Sequence, residues 1–439
     1  MKRRIEKWLL AWKERENREV LLVRGARQVG KTYSIRELGK LFEYFIEVNF
    51  EELRDIHSFF EGNLTASPIC EKLSAYFGIP IIPGQTLLFF DEVQACPNAL
   101  SSLRFFHEQL PALHVAATGS LLEFALGEIP SQGVGRLCSL YMHPMAFPEF
   151  LEALGEEALL RMVETSSPDT PLDSTFHHRL VERIRTFQLL GGMPAVVSAY
   201  VTSRELNRCM ELLDSLLVTL QDDFSKYARQ ASVPRLVDVY NSTFYQAGGK
   251  FMYSKVDTNA TTAPIRQSLE MLVKAGLVMK VHHTSAQGLP LAAQSKPSKF
   301  KVLPSDTGLM QRALGFDLAQ WLVADDAEVV NKGSLAEIFV GLELVRNANP
   351  KIKPSLHYWH RESRGSSAEI DYVIESRGDV LPIEVKAGST GKMRSLHLFL
   401  EERNCPRGIR ISLENYSRYG KIETHPLYAV WCLDYRSGD

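Results

Sequence analysis

Eight consecutive residues, Gly25, Ala26, Arg27, Gln28, Val29, Gly30, Lys31 and Thr32, carry the glycine spacing, the lysine and the hydroxyl of a loop that cradles phosphate. Each residue type has a chemical reason. Glycines let backbone N–H groups approach an anion, the Lys31 ammonium reaches β and γ oxygens, and the Thr32 hydroxyl is a hard donor for Mg2+. A chance glycine-rich turn is the plain alternative. The context weighs against it, because the apolar run 20–23 leads into the loop and a helical pattern over 33–40 leaves it.

Downstream, four apolar residues at 87–90 end in Asp91 and Glu92. A strand that surfaces at paired carboxylates beside such a loop offers Asp91 to Mg2+ and Glu92 to an attacking water, which argues for ATP hydrolysis over simple nucleotide binding. The apolar run 114–117 ends in Thr118, Gly119 and Ser120. Thr118 is the first candidate, and Ser120 the second, for a hydroxyl that senses the γ-phosphate, although hydroxyls at strand ends also serve as helix caps. Arg136, after Gly133-Val134-Gly135, has the charge to stabilise a transition state in cis or in a neighbouring subunit, or to lie idle on a surface.

A second constellation lies near the C-terminus. The runs 368–374 and 380–386, separated by Ser376-Arg377-Gly378-Asp379, read as a β-hairpin. Glu384 and Lys386 alternate on one strand and so share a face, with Asp371 brought opposite by the turn. Two carboxylates and an ammonium suit one or two Mg2+ ions and a water-orienting lysine, with Glu337, in the helical run 334–345, as a further metal ligand. Three readings stay open: an active metal site, a structural remnant of one, or the chance alternation of charges on a strand.

The elements that must position these groups follow from periodicity. Residues 1–155 alternate short apolar strands, at 20–23, 44–48, 87–90, 114–117 and 137–141, with amphipathic helices, the pattern of an α/β domain with a parallel sheet. Residues 156–227 are helical and read as a lid on that domain, interrupted by an exposed loop at 166–171. Residues 228–302 give helices, a strand at 277–282 and a polar loop. Within them Thr261 to Leu272 reads as a helix, with a threonine cap and proline in its first turn, which a winged helix would use to present Arg266 and Gln267 to a DNA groove. Residues 303–439 return to mixed α and β and end in a strand-like run at 428–433.

Composition sets outer bounds. The 439 residues exceed one core, and 45% apolar and 23% charged residues with a formal net charge of -2 fit an ordinary globular protein. Six cysteines form no C-x-x-C pair, so reduced thiols and a cytoplasmic location are expected, with no signal peptide and no run long enough for a membrane span. Local charge says more than the total: residues 228–301 carry ten Lys or Arg against three Asp or Glu. Such a segment attracts phosphate.

With Gly25 to Thr32, Phe90-Asp91-Glu92-Val93-Gln94, Thr118-Gly119-Ser120 and Pro144 to Phe150 in hand, and then Gly191-Gly192-Met193-Pro194, Asp306-Thr307-Gly308-Leu309 and the pairing of 369–371 with 382–386, the chain resembles a family of prokaryotic AAA-type ATPases. These join an N-terminal P-loop domain to a C-terminal domain of unknown function with a restriction-endonuclease-like fold. The resemblance implies an ASCE-type sheet, with the sensor strand between the P-loop and Walker B strands, and a PD-(D/E)xK-like C-terminal fold. It carries nucleotide roles onto Lys31, Thr32, Asp91 and Glu92, and nuclease-like roles onto Asp371, Glu384 and Lys386.

The expected architecture is therefore α/β in four parts: a P-loop domain over 1–155, a helical lid over 156–227, a winged-helix-like segment over 228–302 and a nuclease-like domain over 303–439. The expected activity is ATP hydrolysis with Mg2+, coupled to a C-terminal half that binds or cleaves DNA. The alternative is a STAND-like switch whose nuclease fold cuts nothing and whose partner is DNA or protein. A helicase lacks a second motor domain here, and the oligomeric state stays open.

Overall fold

The computed structural model describes residues 1–62, 64–120, 122–128, 135–227, 231–258, 261–316, 318, 332–361, 368–386 and 393–433. The first five strands are β1 (Val20–Arg24), β2 (Tyr44–Asn49), β3 (Thr86–Asp91), β4 (His114–Thr118) and β5 (Leu137–Tyr141). They form one parallel sheet in the order β2-β3-β4-β1-β5. Strands β1, β3 and β4 are buried nearly throughout, as parallel strands covered by helices on both faces must be. Their side chains alternate between two cores: Leu21, Val23, Leu87 and Phe89 pack into one, and Val20, Leu22, Leu88 and Phe90 into the other. Every strand anticipated in this part is present, and β4 lies between β1 and β3 as the resemblance implied.

The helices Glu157–Thr165, Ser174–Leu190, Pro194–Ser203 and Leu206–Asp222 follow. They share a hydrophobic core with both the sheet and the C-terminal half. A buried polar knot fixes that union. Asp306, fully enclosed, accepts hydrogen bonds from Gly192 N at 2.6 Å, Gly308 N at 2.9 Å, Leu309 N at 3.2 Å and Arg346 Nη2 at 3.1 Å. One carboxylate thereby caps the helix Thr307–Ala313 and anchors the turn that ends the helix Ser174–Leu190.

The remaining strands are β6 (Val278–Thr284), β7 (Ser295–Pro304), β8 (Leu356–His360), β9 (Glu369–Ser376), β10 (Asp379–Val385), β11 (Gly408–Ser412), β12 (Ser417–Tyr419) and β13 (Ile422–Pro426). They build one mixed eight-stranded sheet in the order β12-β13-β11-β10-β9-β8-β6-β7. The β9–β10 hairpin is where the pattern put it, with Arg377 and Gly378 both at positive φ in its turn.

Two expectations need correction. A boundary at 302 cuts through β7, and the β6–β7 hairpin is not a free wing, because β6 pairs in parallel with β8. An open hairpin edge presents unpaired N–H and C=O groups, and β8 satisfies them. Second, the strand expected at 428–433 is a 3-10 helix, Leu427–Cys432. A short apolar run buried on all sides does not distinguish strand from helix. Among the described residues no helix is long and apolar enough to cross a membrane, and the six cysteines are free.

Candidate nucleotide site

The loop 25–32 runs from the C-terminal end of β1 to the first turn of the helix Lys31–Gly39. Gly25 has φ +147°, and a Cβ there would lie 2.1 Å from Met142 O, so the chain passes the neighbouring strand only as glycine. Gln28 and Gly30 also hold positive φ. The turn is braced from behind: buried Arg3 donates from Nη1 to Val29 O at 2.6 Å, from Nη2 to His143 O at 2.8 Å and from Nε to Glu149 Oε1 at 3.0 Å.

Inside the loop, Lys31 Nζ donates to Gly25 O at 3.0 Å and to Ala26 O at 2.7 Å. Burial pulls its pKa down to about 8, against the opposing pull of Glu92 and Asp91. Thr32 Oγ1 donates to Asp91 Oδ2 at 3.0 Å, and the Thr118 hydroxyl donates to Asp91 Oδ1. Parallel pairing of β3 between β2 and β4 delivers these groups, since it brings the ends of neighbouring strands level. Burial raises the Asp91 carboxyl above its ordinary value despite both hydroxyls.

Glu92 follows in the left-handed region at φ 48°, a conformation that costs a non-glycine residue and is typical of functional turns. Ser120 reaches its Oε2 from N at 3.3 Å and from Oγ at 3.2 Å, and Gln94 donates to the same oxygen. Burial alone would raise this carboxyl, but the hydrogen bonds of Gln94 and Ser120 and the charges of Lys31 and Arg27 outweigh it and hold it below the usual glutamate value. Glu92 is therefore an ionised carboxylate at neutral pH, available to accept a proton.

Arg27 links the loop to its surroundings. Its Nε lies 3.0 Å from both Ser120 Oγ and Asp223 Oδ2, the latter just beyond the helix Leu206–Asp222, and Nη2 lies 3.4 Å from Glu51. Lys226 joins the same Glu51 at 3.0 Å. On another side, a Cβ on Gly276, in the turn between the helix Thr262–Lys274 and β6, would sit 3.2 Å from Ala26 N. Three parts of the chain thus meet at the phosphate loop. None of Arg3, Glu51, Asp223 or Gly276 was anticipated, because sequence spacing carries no signal for partners so far apart.

Arg136 does not join this site. It precedes β5, which runs parallel to β1 with Leu137 opposite Val20, so it lies at the edge of the sheet away from the loop. There it pairs with Glu108. Its neighbours Gly133 and Val134 fall outside the described residues.

The C-terminal carboxylates do converge, with an unforeseen lysine among them. Lys301, almost wholly buried on β7, reaches Glu337 Oε1 at 2.7 Å and Glu369 Oε1 at 2.6 Å. Asp371 Oδ2 accepts from Val385 N at 2.7 Å, and Lys386 Nζ lies 2.5 Å from Glu384 Oε1. Burial, then the opposing pull of Lys301 and the repulsion of Asp371, leaves Glu337 raised to about 7. Burial also raises Asp371, and burial with the charge of Asp371 raises Glu384. Among the described residues no group of three or more His, Cys, Asp or Glu side chains is placed to hold a metal ion. Within the expected set, Glu337 pairs with Lys301 and Glu384 with Lys386, so ammonium groups stand beside these acids.

The basic segment is also less free than its composition suggested. Lys301 is buried, Lys280 pairs with Glu270 and Lys250 lies 3.6 Å from Glu369, while Arg229 falls outside the described residues. Arg266, Gln267 and Lys255 are exposed. Thr261 is the N-cap of the helix Thr262–Lys274, but its side chain makes no capping hydrogen bond.

Residues 17–151 match the family model described as an AAA domain, which agrees with the sheet order and the loop geometry. Over these residues the chain is similar to AAA-type P-loop domains. Residues 181–320 and 332–430 match two models described as domains of unknown function (DUF8612 and DUF4143).

Solved structures that cover most of the chain do so at low identity. The Walker-type ATPase PABY2304 of Pyrococcus abyssi is 17% identical with a TM-score of 0.44, over 70% of this chain and 94% of its own. A chain of the Drosophila ORC bound to DNA is 13% identical with a TM-score of 0.25, over 72% and 95%. No curated protein matches.

Proposed function

We propose that this protein binds ATP with Mg2+ at residues 25–32 and hydrolyses it, and that its nucleotide state is read by the C-terminal half through contacts made at the loop. The observation that carries the hydrolysis is Glu92, ionised and oriented by Ser120 and Gln94 at the end of β3. Backbone N–H groups of the loop and Lys31 bind the phosphates, Thr118 holds Asp91, and Glu92 takes the proton of the attacking water. Thr32 and Asp91 offer hard oxygen donors 3.0 Å apart, a donor set that fits Mg2+. The ion, when bound, neutralises charge on the β and γ phosphates.

For the C-terminal half, the presence of Lys301 among Glu337 and Glu369 favours a switch or binding role over metal-dependent cutting. The antiparallel β9–β10 hairpin beside parallel β11 supports the likeness to a restriction-endonuclease-like core. On the helix Thr262–Lys274, Arg266 and Gln267 are exposed and supply donors for duplex DNA.

ATP binding and turnover in wild type and Lys31→Ala test the first claim; equal binding by both would place the nucleotide elsewhere. Duplex binding across a salt series tests the second. A steep fall with salt supports contact with phosphates, and a flat response points to a protein partner.

A further inference from the structure

Between the phosphate loop, the helix Thr262–Lys274 and the C-terminal sheet lies a cleft of about 390 Å3. Gly25, Ala26 and Ser120 form part of its wall, with Met142, Met279 and Leu356 among its apolar lining. Most of its charged groups are already paired, Arg346 with Asp306 at 3.1 Å and with Glu343 at 3.4 Å. Glu123 already serves Arg24 at 2.6 Å and Lys353 at 3.9 Å, and Glu270 serves Lys280. Lys274 stands over the Phe124 ring, with no carboxylate partner among the described residues. Two further donors in the wall, Arg24 Nε and Arg346 Nε, are buried with no hydrogen-bond partner among the described residues. A small side-chain movement that brings an acceptor oxygen to either is favourable, because a buried unpaired donor carries its full desolvation cost.

A concave, mostly apolar space with a few convergent polar groups, at the junction of domains, is the form small-molecule sites take. We propose that this cleft, which shares Gly25, Ala26 and Ser120 with the nucleotide site but is lined by none of Lys31, Thr32, Asp91 or Glu92, binds a second, small ligand with an apolar body and one anionic group, a carboxylate or a phosphate. Lys274 and Arg24 hold the anion, and the apolar wall holds the body. The site touches Ala26 through the same turn that carries Gly276, so its occupant bears directly on the nucleotide loop.

The test uses the full chain and 8-anilinonaphthalene-1-sulfonate, an aromatic anion whose fluorescence reports burial. We expect saturable binding at one site, retained in Lys31→Ala and weakened at least tenfold in Lys274→Glu and in Met279→Trp, which fills the cleft. Thermal unfolding identifies any variant that fails to fold, and Lys274→Glu, at an exposed position, serves if Met279→Trp does. Unchanged affinity in a folded variant overturns the proposal. So does displacement of the probe by ATP in wild type but not in Lys31→Ala, which would make the cleft part of the nucleotide pocket. Competition by 2-naphthyl phosphate and 2-naphthoate then tells phosphate from carboxylate, and displacement by neither also overturns the site.

Discussion

Arg3 lies far ahead of the phosphate loop in the chain, yet its guanidinium holds the loop from behind and pairs with buried Glu149. Removing one partner of a buried pair strands the other, at about 3–5 kcal/mol. Arg3→Met is therefore expected to destabilise the protein by about that much in denaturant unfolding and to weaken ATP binding as the loop loosens. A variant of unchanged stability would show that Glu149 finds other donors. At this scale the sequence exposed the groups to which the proposal assigns chemistry, Lys31, Thr32, Asp91 and Glu92, because their types and spacing suit phosphate and metal. It concealed Arg3, and it offered Arg27 and Ser120 without the partners that only the fold brings near.

Among elements, β7 connects the basic hairpin to the C-terminal sheet through Lys301, whose ammonium lies between the helix Lys332–Arg346 and β9. Burial alone would lower its pKa, but Glu337, Glu369 and Asp371 hold it above the ordinary lysine value. Lys301→Met leaves those carboxylates uncompensated and is expected to cost about 3–5 kcal/mol, read as a lower denaturation midpoint.

Glu337 gives the same network a pH signature. Its pKa of about 7 in the folded chain exceeds the ordinary 4.5, so between those values the folded state binds a proton that the unfolded state has released. Stability falls as pH rises through that window. The melting temperature should decline from pH 5 to pH 8, and Glu337→Gln should flatten the decline; equal slopes would remove Glu337 as its source. The helix Thr262–Lys274 and the strand after it were legible in sequence, whereas β7 lies partly where a polar loop was expected. The pairing of β6 with β8 was not, because no local pattern specifies which sheet adopts an exposed edge.

Across the whole molecule, the parallel sheet of residues 20–141 was legible strand by strand, since buried parallel strands are apolar runs ended by polar turns. The union of the parts was not. It rests on Asp306, Arg346 and Gly192, and on a core that runs from the first helix to the last. Such a union makes the phosphate loop a junction, touched by the N-terminal segment, by Asp223 after the helical region and by Gly276 from the C-terminal half.

At this junction, ATP hydrolysis is proposed to use Glu92 as the base. Steady-state phosphate release, measured beside ATP binding in wild type and Glu92→Gln, tests it most directly. Turnover is expected to fall by about a hundredfold or more while binding persists, the scale of a lost general base. Turnover within a few-fold of wild type would contradict it.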